Sequence, residues 1–429
     1  MSKSTAATIA MDENVSTAQF KSRVNFVLAL AEHLHTSGTS VNRLEGAIDR
    51  IAKKLQLDIS IWSNPTGIMI SFLDPVLGEP YTVTRLMRLK PGDTDLGRLA
   101  DADAIAEQVI SGKMGIADGY ARLKACDPKP SWIMKLGIIA CFGLASAMVV
   151  SLFPRTGWYD FGVSALLGMA IGVLALISAH RPRLYDASEA IAAFGVTLIA
   201  SWIAAFVAPL SLQPVIISAL IIMMPGMMLT VAINELANQQ LASGSARFAG
   251  AVTILMKLTF GSILGVQLVS ILQWPALSNA TAGVLPEWMP LFMLVPGAFA
   301  LAVLFKAHWR DVPVAMAAVF LGFGVMKACT LIPALSDGAT PTPAFLSALV
   351  VTAVSNLYAR YFNRPGALIR VPGIILLVPG SVGFRTFNVA FGQDAASSLD
   401  LAISLFAALI ALVAGILFGN LLVSSRRNL

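Results

Sequence analysis

The sequence predicts a polytopic α-helical membrane protein, with about ten transmembrane helices in a 5+5 inverted repeat behind a small N-terminal cytoplasmic α/β domain. Three observations predict it. Of 429 residues, 56% are hydrophobic and only 13% charged, which is a membrane composition. The charge is divided: residues 1–130 hold 15 of the 30 Lys and Arg and 15 of the 24 Asp and Glu, so the net +6 belongs entirely to the apolar remainder. One phrase also occurs twice, 154 residues apart, inside two apolar runs: Pro225-Gly226 with Asn234, Gln239 and Ser243, then Pro379-Gly380 with Asn388, Gln393 and Ser397.

The first segment, 1–130, reads as an α/β domain with a linker. Positions 18–34 and 41–55 have helical periodicity, with Thr39 or Ser40 as N-cap. Runs 57–62, 66–73 and 81–89 are β-branched-rich and separated by Pro65, Pro75 to Gly78 and Pro91-Gly92, as strands are. Helical patterns return at 93–111 and 115–125, and Asp127 to Pro130 forms the linker. The first residues lack a long apolar stretch, so no cleaved signal peptide is expected.

Ten apolar runs follow, at 133–153, 158–179, 187–208, 213–233, 247–272, 288–305, 312–332, 342–359, 366–391 and 399–423. Each is near the roughly 20 residues needed to cross a bilayer. With the first segment cytoplasmic, one side receives Lys135, Arg181, Arg183, Arg247, Lys306, Arg310, Arg360, Arg364, Arg370, Arg426 and Arg427, against Arg155 and Arg385 on the other. That asymmetry puts both termini in the cytoplasm. It also explains the basic balance as charge beside anionic headgroups, so no nucleic-acid partner is expected. Cys126, Cys141 and Cys329 have no paired spacing, and no metal site or cofactor is expected. His33 and His35 lack neighbouring acidic or cysteine ligands, and no Walker sequence appears.

Five spans per half is an odd number, so the second half enters the membrane inverted. The boundaries read as 131–273 and 274–429. The 154-residue offset also pairs Gly143 with Gly297, Gly168 with Gly322 and Ser201 with Ser355. Matched interruptions in two halves point to a transporter's binding site, because a Pro-Gly pair frees backbone groups that hydrocarbon cannot satisfy. Gly168/Gly172, Gly261/Gly265 and Gly415/Gly419 read as close helix contacts. Pro296 is a further break with no proline partner in the first span and no assigned role.

The segments HTSGTSVNRLEGAIDRIAKKLQL, NPTGIMISF, TRL followed by DLGRLADADAIAEQVISG, PGMMLTVAINELANQQLASGSAR and VPGIILLVPGSVGFRTF occur in this order. Together they resemble the bacterial threonine/serine exporter family over nearly the whole chain. The resemblance implies export of small hydroxy amino acids across the bacterial inner membrane, driven by the proton gradient. A related two-subunit branch is associated with succinate, so a small dicarboxylate is the alternative substrate.

Either substrate is a carboxylate. The half-helices that start after Pro225-Gly226 and Pro379-Gly380 would offer it bare N–H groups and the positive dipole end, and glycine lets it approach the backbone. The competing reading is a kink that serves packing. Thr230, Asn234, Ser381 and Asn388 lie just beyond the breaks, as substrate ligands or as ties between helices. Arg385 would grip a carboxylate or snorkel to headgroups. Glu235 is the candidate proton carrier, with Asp394 its counterpart, or else a solvated helix end. Lys257 and Lys327 are intramembrane charges. A homo-oligomer stays open. So do two other functions for residues 1–130: a membrane-anchored enzyme, for which His35, Ser37 and Asp49 supply residue types without a triad's spacing, and a regulatory module.

Overall fold

The computed structural model describes residues 2–73, 82–125, 131–275, 283–332, 335, 341–391 and 395–424. The turn at 75–78 and the linker at 127–130 lie outside the described residues, as do Cys126, Gln393 and Asp394. The N-terminal elements are α1 (Ser2–Thr36), α2 (Val41–Lys54), β1 (Asp58–Asn64), β2 (Gly67–Leu73), β3 (Thr82–Arg88), α3 (Leu96–Ile110) and α4 (Ile116–Ala125). The strands pair antiparallel in the order β1-β2-β3. Alternation along β2 puts Ile68, Ile70 and Phe72 inside, where they meet Leu44, Ile48 and Ile51 from one face of α2. This core does not close on itself, because Ala367 and Leu368, far along the chain, complete it.

The remaining helices are α5 (Trp132–Ser151), α6 (Trp158–Ser178), α7 (Pro182–Phe206), α8 (Leu212–Leu220), α9 (Gly226–Ala237), α10 (Leu241–Ile271), α11 (Met289–Leu304), α12 (Val312–Thr330), α13 (Thr342–Phe362), α14 (Ala367–Ile375), α15 (Gly380–Phe391) and α16 (Ala395–Leu422). Among the described residues, eight spans are long and apolar enough to cross a membrane, with α14 and α15 together (Ala367–Phe391) counting as one, or nine if α8 and α9, bent by 59°, also count as one span. The chain is therefore a polytopic helical membrane protein. The predicted span at 288–305 is α11, which at 16 residues falls short of the others. It starts on Pro290 in its first turn and ends where Lys306 takes a positive φ of 54°.

The two sets of helices have one packing scheme. In the first, α5 packs on α6, α6 on α7 and α8, α7 on α8 and α10, and α9 on α10. In the second, α11 packs on α12, α12 on α13 and α14, α13 on α14 and α16, and α15 on α16. Contacts between the sets are reciprocal: α9 meets α16 as α15 meets α10, while α5 meets α11 and α9 meets α15. The glycine pair Gly261/Gly265 seats α10 on Ala190, Phe194 and Thr197 of α7. At the 154-residue offset, Gly415/Gly419 seats α16 on Phe345, Ala348 and Thr352 of α13. The other paired glycines differ: Gly168 packs on Ser146 of α5, but Gly322 on the Gly373 carbonyl of α14.

The breaks between α8 and α9 and between α14 and α15 are made alike. Gly226 donates to the Met224 carbonyl at 2.9 Å and Leu229 to Pro225 at 3.0 Å. Gly380 donates to the Val378 carbonyl at 2.9 Å and Gly383 to Pro379 at 3.1 Å. Each is a three-residue turn locked by proline that restarts a helix at glycine. The two breaks also touch. A methyl on Gly226 would lie 3.3 Å from both Cα and N of Gly380 and 2.5 Å from Val378 Cγ1. Gly226→Ala and Gly380→Ala are each expected to cost about 1–3 kcal/mol through overpacking. Because both disturb one contact, the double variant should lose less than the sum of the two in thermal unfolding in detergent. Additive losses would mean that the breaks are not in contact.

Candidate functional site

Both prolines and both glycines of the breaks are buried, and Met224 and Val378 pack beside them. α9 and α15 both start at this contact, and a helix start leaves its first N–H groups without intrahelical partners. Buried Thr230 bonds back to the Gly226 carbonyl at 3.2 Å. Half-buried Asn388 donates to Phe384 O at 3.1 Å, and the Asn234 carbonyl accepts from Asn238 Nδ2 at 2.7 Å. Both amides thus bond along their own helices rather than across to a neighbour. On α15, Ser381, Arg385 and Asn388 follow helical spacing along one side, and Arg385 is exposed, turned away from Gly380, Gly383 and Phe384. Surface clefts of about 440 Å³ and 510 Å³ lie elsewhere, lined by apolar side chains such as Phe345 and Ile410, and Phe292 and Met316.

Glu235, three turns along α9, has no solvent exposure. Its carboxylate accepts from Ser243 Oγ at 2.7 Å, from Val41 N at 3.1 Å, and from Arg247 Nε at 3.1 Å to each oxygen. It is neither a solvated helix end nor a bare acid. It lies between α9, α10 and the N-terminus of α2, whose dipole favours a carboxylate. Alongside, Gln240 Nε2 reaches Glu45 Oε2 at 3.4 Å, and Glu45 Oε1 accepts from Ser63 N at 2.8 Å. Burial raises the Glu45 carboxyl above its usual range, and the charge of Glu235 adds to that. Buried His35 donates from Nε2 to Pro65 O at 3.2 Å, and burial, reinforced by Arg247, lowers its pKa. His33 similarly joins Leu123 O at 2.6 Å. These histidines tie α1 to the β1–β2 turn and to α4.

A second junction is built head to tail. Leu96 N and Gly97 N, opening α3, donate to Phe305 O at 2.9 Å and Lys306 O at 3.1 Å, the two carbonyls that follow the end of α11. Asp95 caps α3 through Arg98 N at 2.9 Å and pairs with Lys306 at 3.2 Å. Gly97 is required there, because a Cβ would come within 2.6 Å of Lys306 O.

The other predicted charges differ in setting. Lys257 bonds Asp186 O at 2.8 Å and stands 3.6 Å from Glu189, tying α10 to the first turns of α7. Lys327 is exposed in the last turn of α12, where a cation suits the dipole. Asp394 lies outside the described residues. Three features had no role in the sequence reading. Asp160, fully buried, accepts from Gly157 N at 2.8 Å and Ser211 N at 2.7 Å. Arg247 and Arg370 counted only as loop charges, yet both are about nine-tenths buried. Among the described residues no group of three or more metal-ligating side chains forms.

A threonine/serine exporter model matches residues 25–269, more than half of the chain, and a second exporter model matches 291–422. The chain belongs to the threonine/serine exporter family. Similar curated proteins are fungal. Pheromone-regulated membrane protein 10 of Candida albicans is 26% identical over 386 residues, covering 87% of this chain and 34% of that protein. Its Eremothecium gossypii counterpart is 23% identical, covering 89% and 51%, and an uncharacterized protein of Schizosaccharomyces pombe 22%, covering 91% and 47%. The chain thus spans about a third to a half of these relatives' lengths. No solved structure matches it.

In this exporter-family chain, Glu235→Gln would leave Arg247 buried without its counter-charge. A loss of about 3–5 kcal/mol is expected in thermal unfolding, part of it recovered when Arg247→Met is added. A single-variant loss under 1 kcal/mol would mean that the pair is not sequestered. For His35 the neutral form is favoured in the folded chain. Its contribution to stability should therefore be full above the unfolded value of about 6.5 and fade as pH falls toward the lowered one. His35→Gln should flatten the melting temperature against pH in that window, and an unchanged profile would exclude it as the titrating group.

Proposed function

We propose that this chain is a secondary active transporter that exports small hydroxy amino acids, threonine or serine, driven by the proton gradient. The observation that carries the reading is the meeting of two Pro-Gly breaks with the same hydrogen-bond pattern at Gly226 and Gly380, within a family of exporters. Matched broken helices put a carrier's site where they meet, with bare amides and positive helix ends toward an anion. The substrate's carboxylate would lie against the first turns of α9 and α15, flanked by Thr230, Asn234, Ser381 and Asn388, with Arg385 as its charged partner. The two breaks touch directly, so this conformation is the closed one, and binding requires them to part.

The frame for that movement is a 5+5 inverted repeat of α5–α10 and α11–α16. Its support is the common packing scheme, the reciprocal contacts between the sets, and the Gly261/Gly265 and Gly415/Gly419 seats at one offset. Residues 1–130 form a cytoplasmic domain under both halves, and both termini face the cytoplasm of a bacterial inner membrane. Glu235 carries the proton, with Asp394 its counterpart. Protonation would release Arg247 and the start of α2 together, freeing α9.

Flux decides the matter. Proteoliposomes loaded with threonine or serine should show export that collapses when the pH gradient is dissipated. Export of succinate alone would select the dicarboxylate alternative. No flux of any of the three would remove the transport reading.

A further inference from the structure

Arg370 on α14 is buried, with 9% of its surface exposed, and no carboxylate pairs with it among the described residues. Its Nη2 donates to Asn356 Oδ1 at 2.7 Å and to Asn420 Oδ1 at 3.4 Å, both neutral oxygens. Asn356 is fixed in turn by donating to Asn420 Oδ1 at 3.0 Å and Val423 O at 2.7 Å. Arg370 Nε is buried and bonds to nothing. A guanidinium has five N–H donors in a fork that fits a carboxylate, and a sequestered charge without a counter-ion costs several kcal/mol. Ionisable groups at such places in membrane proteins are functional by default.

The cluster has no counterpart in the first half. At the 154-residue offset Arg370, Asn356 and Asn420 correspond to Ile216, Trp202 and Val266, of which Ile216 alone is buried. The cluster is also separate from the break. Arg370 is on α14, before the break, and ten residues divide it from Gly380, where α15 starts. It lies toward the N-terminal elements, because its neighbours Leu368 and Val371 pack into their core.

We propose that Arg370, seated on Asn356 and Asn420, is a carboxylate-binding station of the carrier on the side where α1–α4 dock. It rests on the transport reading and adds to it a second stop on the substrate's path, in one half only. The carboxylate takes the unpartnered Nε once the helices around it part, and the two asparagines hold the guanidinium in place.

The test is transport by the full chain in phosphatidylcholine vesicles, comparing threonine with threonine amide, which lacks the carboxylate. Wild-type protein should prefer threonine. Arg370→Gln should raise the KM for threonine about ten- to hundredfold, as for losing a charge-assisted bond, and abolish the preference over the amide. Arg370→Lys should recover part of both. A structural role would lower the amount of folded protein without altering the preference. If Arg370→Gln does not fold, Arg370→Lys decides: unchanged KM and preference overturn the proposal. Repeating the comparison with phosphatidylglycerol added separates a lipid phosphate from the substrate. A defect seen only with the anionic lipid would also overturn it. Failure of wild-type protein to move threonine, serine or succinate would instead sink the transport reading, leaving the two outcomes distinguishable.

Discussion

Two places where the backbone cannot continue a helix are pressed against each other, and the rest of the membrane part is arranged to make that tolerable. Each Pro-Gly pair forfeits ladder hydrogen bonds in surroundings that offer no water. Each recovers a carbonyl bond to the restarting glycine, in the same pattern on both spans. Only glycine permits the approach, since a single methyl at either position would meet the other's backbone. The contact is thus a close approach of backbone to backbone between the two sets of helices. It is also where their starting dipoles converge and must be screened or used.

Movement at that contact reaches the N-terminal elements through short rigid pieces. α9 begins at the break and is 12 residues long, about 18 Å, with buried Glu235 bonded to the first N–H of α2 near its far end. α14 approaches the other break from a start, Ala367 and Leu368, buried in the core beneath β2. One arm of each broken span is therefore anchored in the same N-terminal layer, while α8 and α15 are not. Parting the breaks means either shifting that layer or breaking its anchors. The two anchors differ in kind. The α14 side is apolar, whereas the α9 side is a buried ion pair of Glu235 with Arg247.

The features legible in the sequence were those carried by local chemistry. Pro225-Gly226 and Pro379-Gly380 name their breaks outright, and the strands at 58–88 follow from alternation and flanking turn residues. What could not be read depends on partners distant in the chain. Glu235 looked like a helix end because the groups that bury it include Val41, 194 residues away. Arg247 and Arg370 sit beside polar stretches, so positional counting put them in loops, yet tertiary packing encloses both. Lys257 looked like a deep charge until Glu189, on the facing helix, came within 3.6 Å. A signal that was present went unused: Gly261/Gly265 and Gly415/Gly419 stand at the repeat offset, and each pair seats the same helix of its set.

The pattern of polar residues follows from what each half must do beyond packing. Where the repeat serves structure, as at the glycine seats, both halves keep the same small residues. Where charge is buried, they diverge: Glu235 and Arg247 correspond to Val389 and Leu401, while Arg370 corresponds to Ile216. The common packing scheme of the two sets does not by itself call for these charges, since the matching positions hold none. Each buried charge carries a desolvation cost that an apolar residue would spare. The cost falls on different residues in each half, so the two sets of helices, alike in packing, differ in where they hold charge.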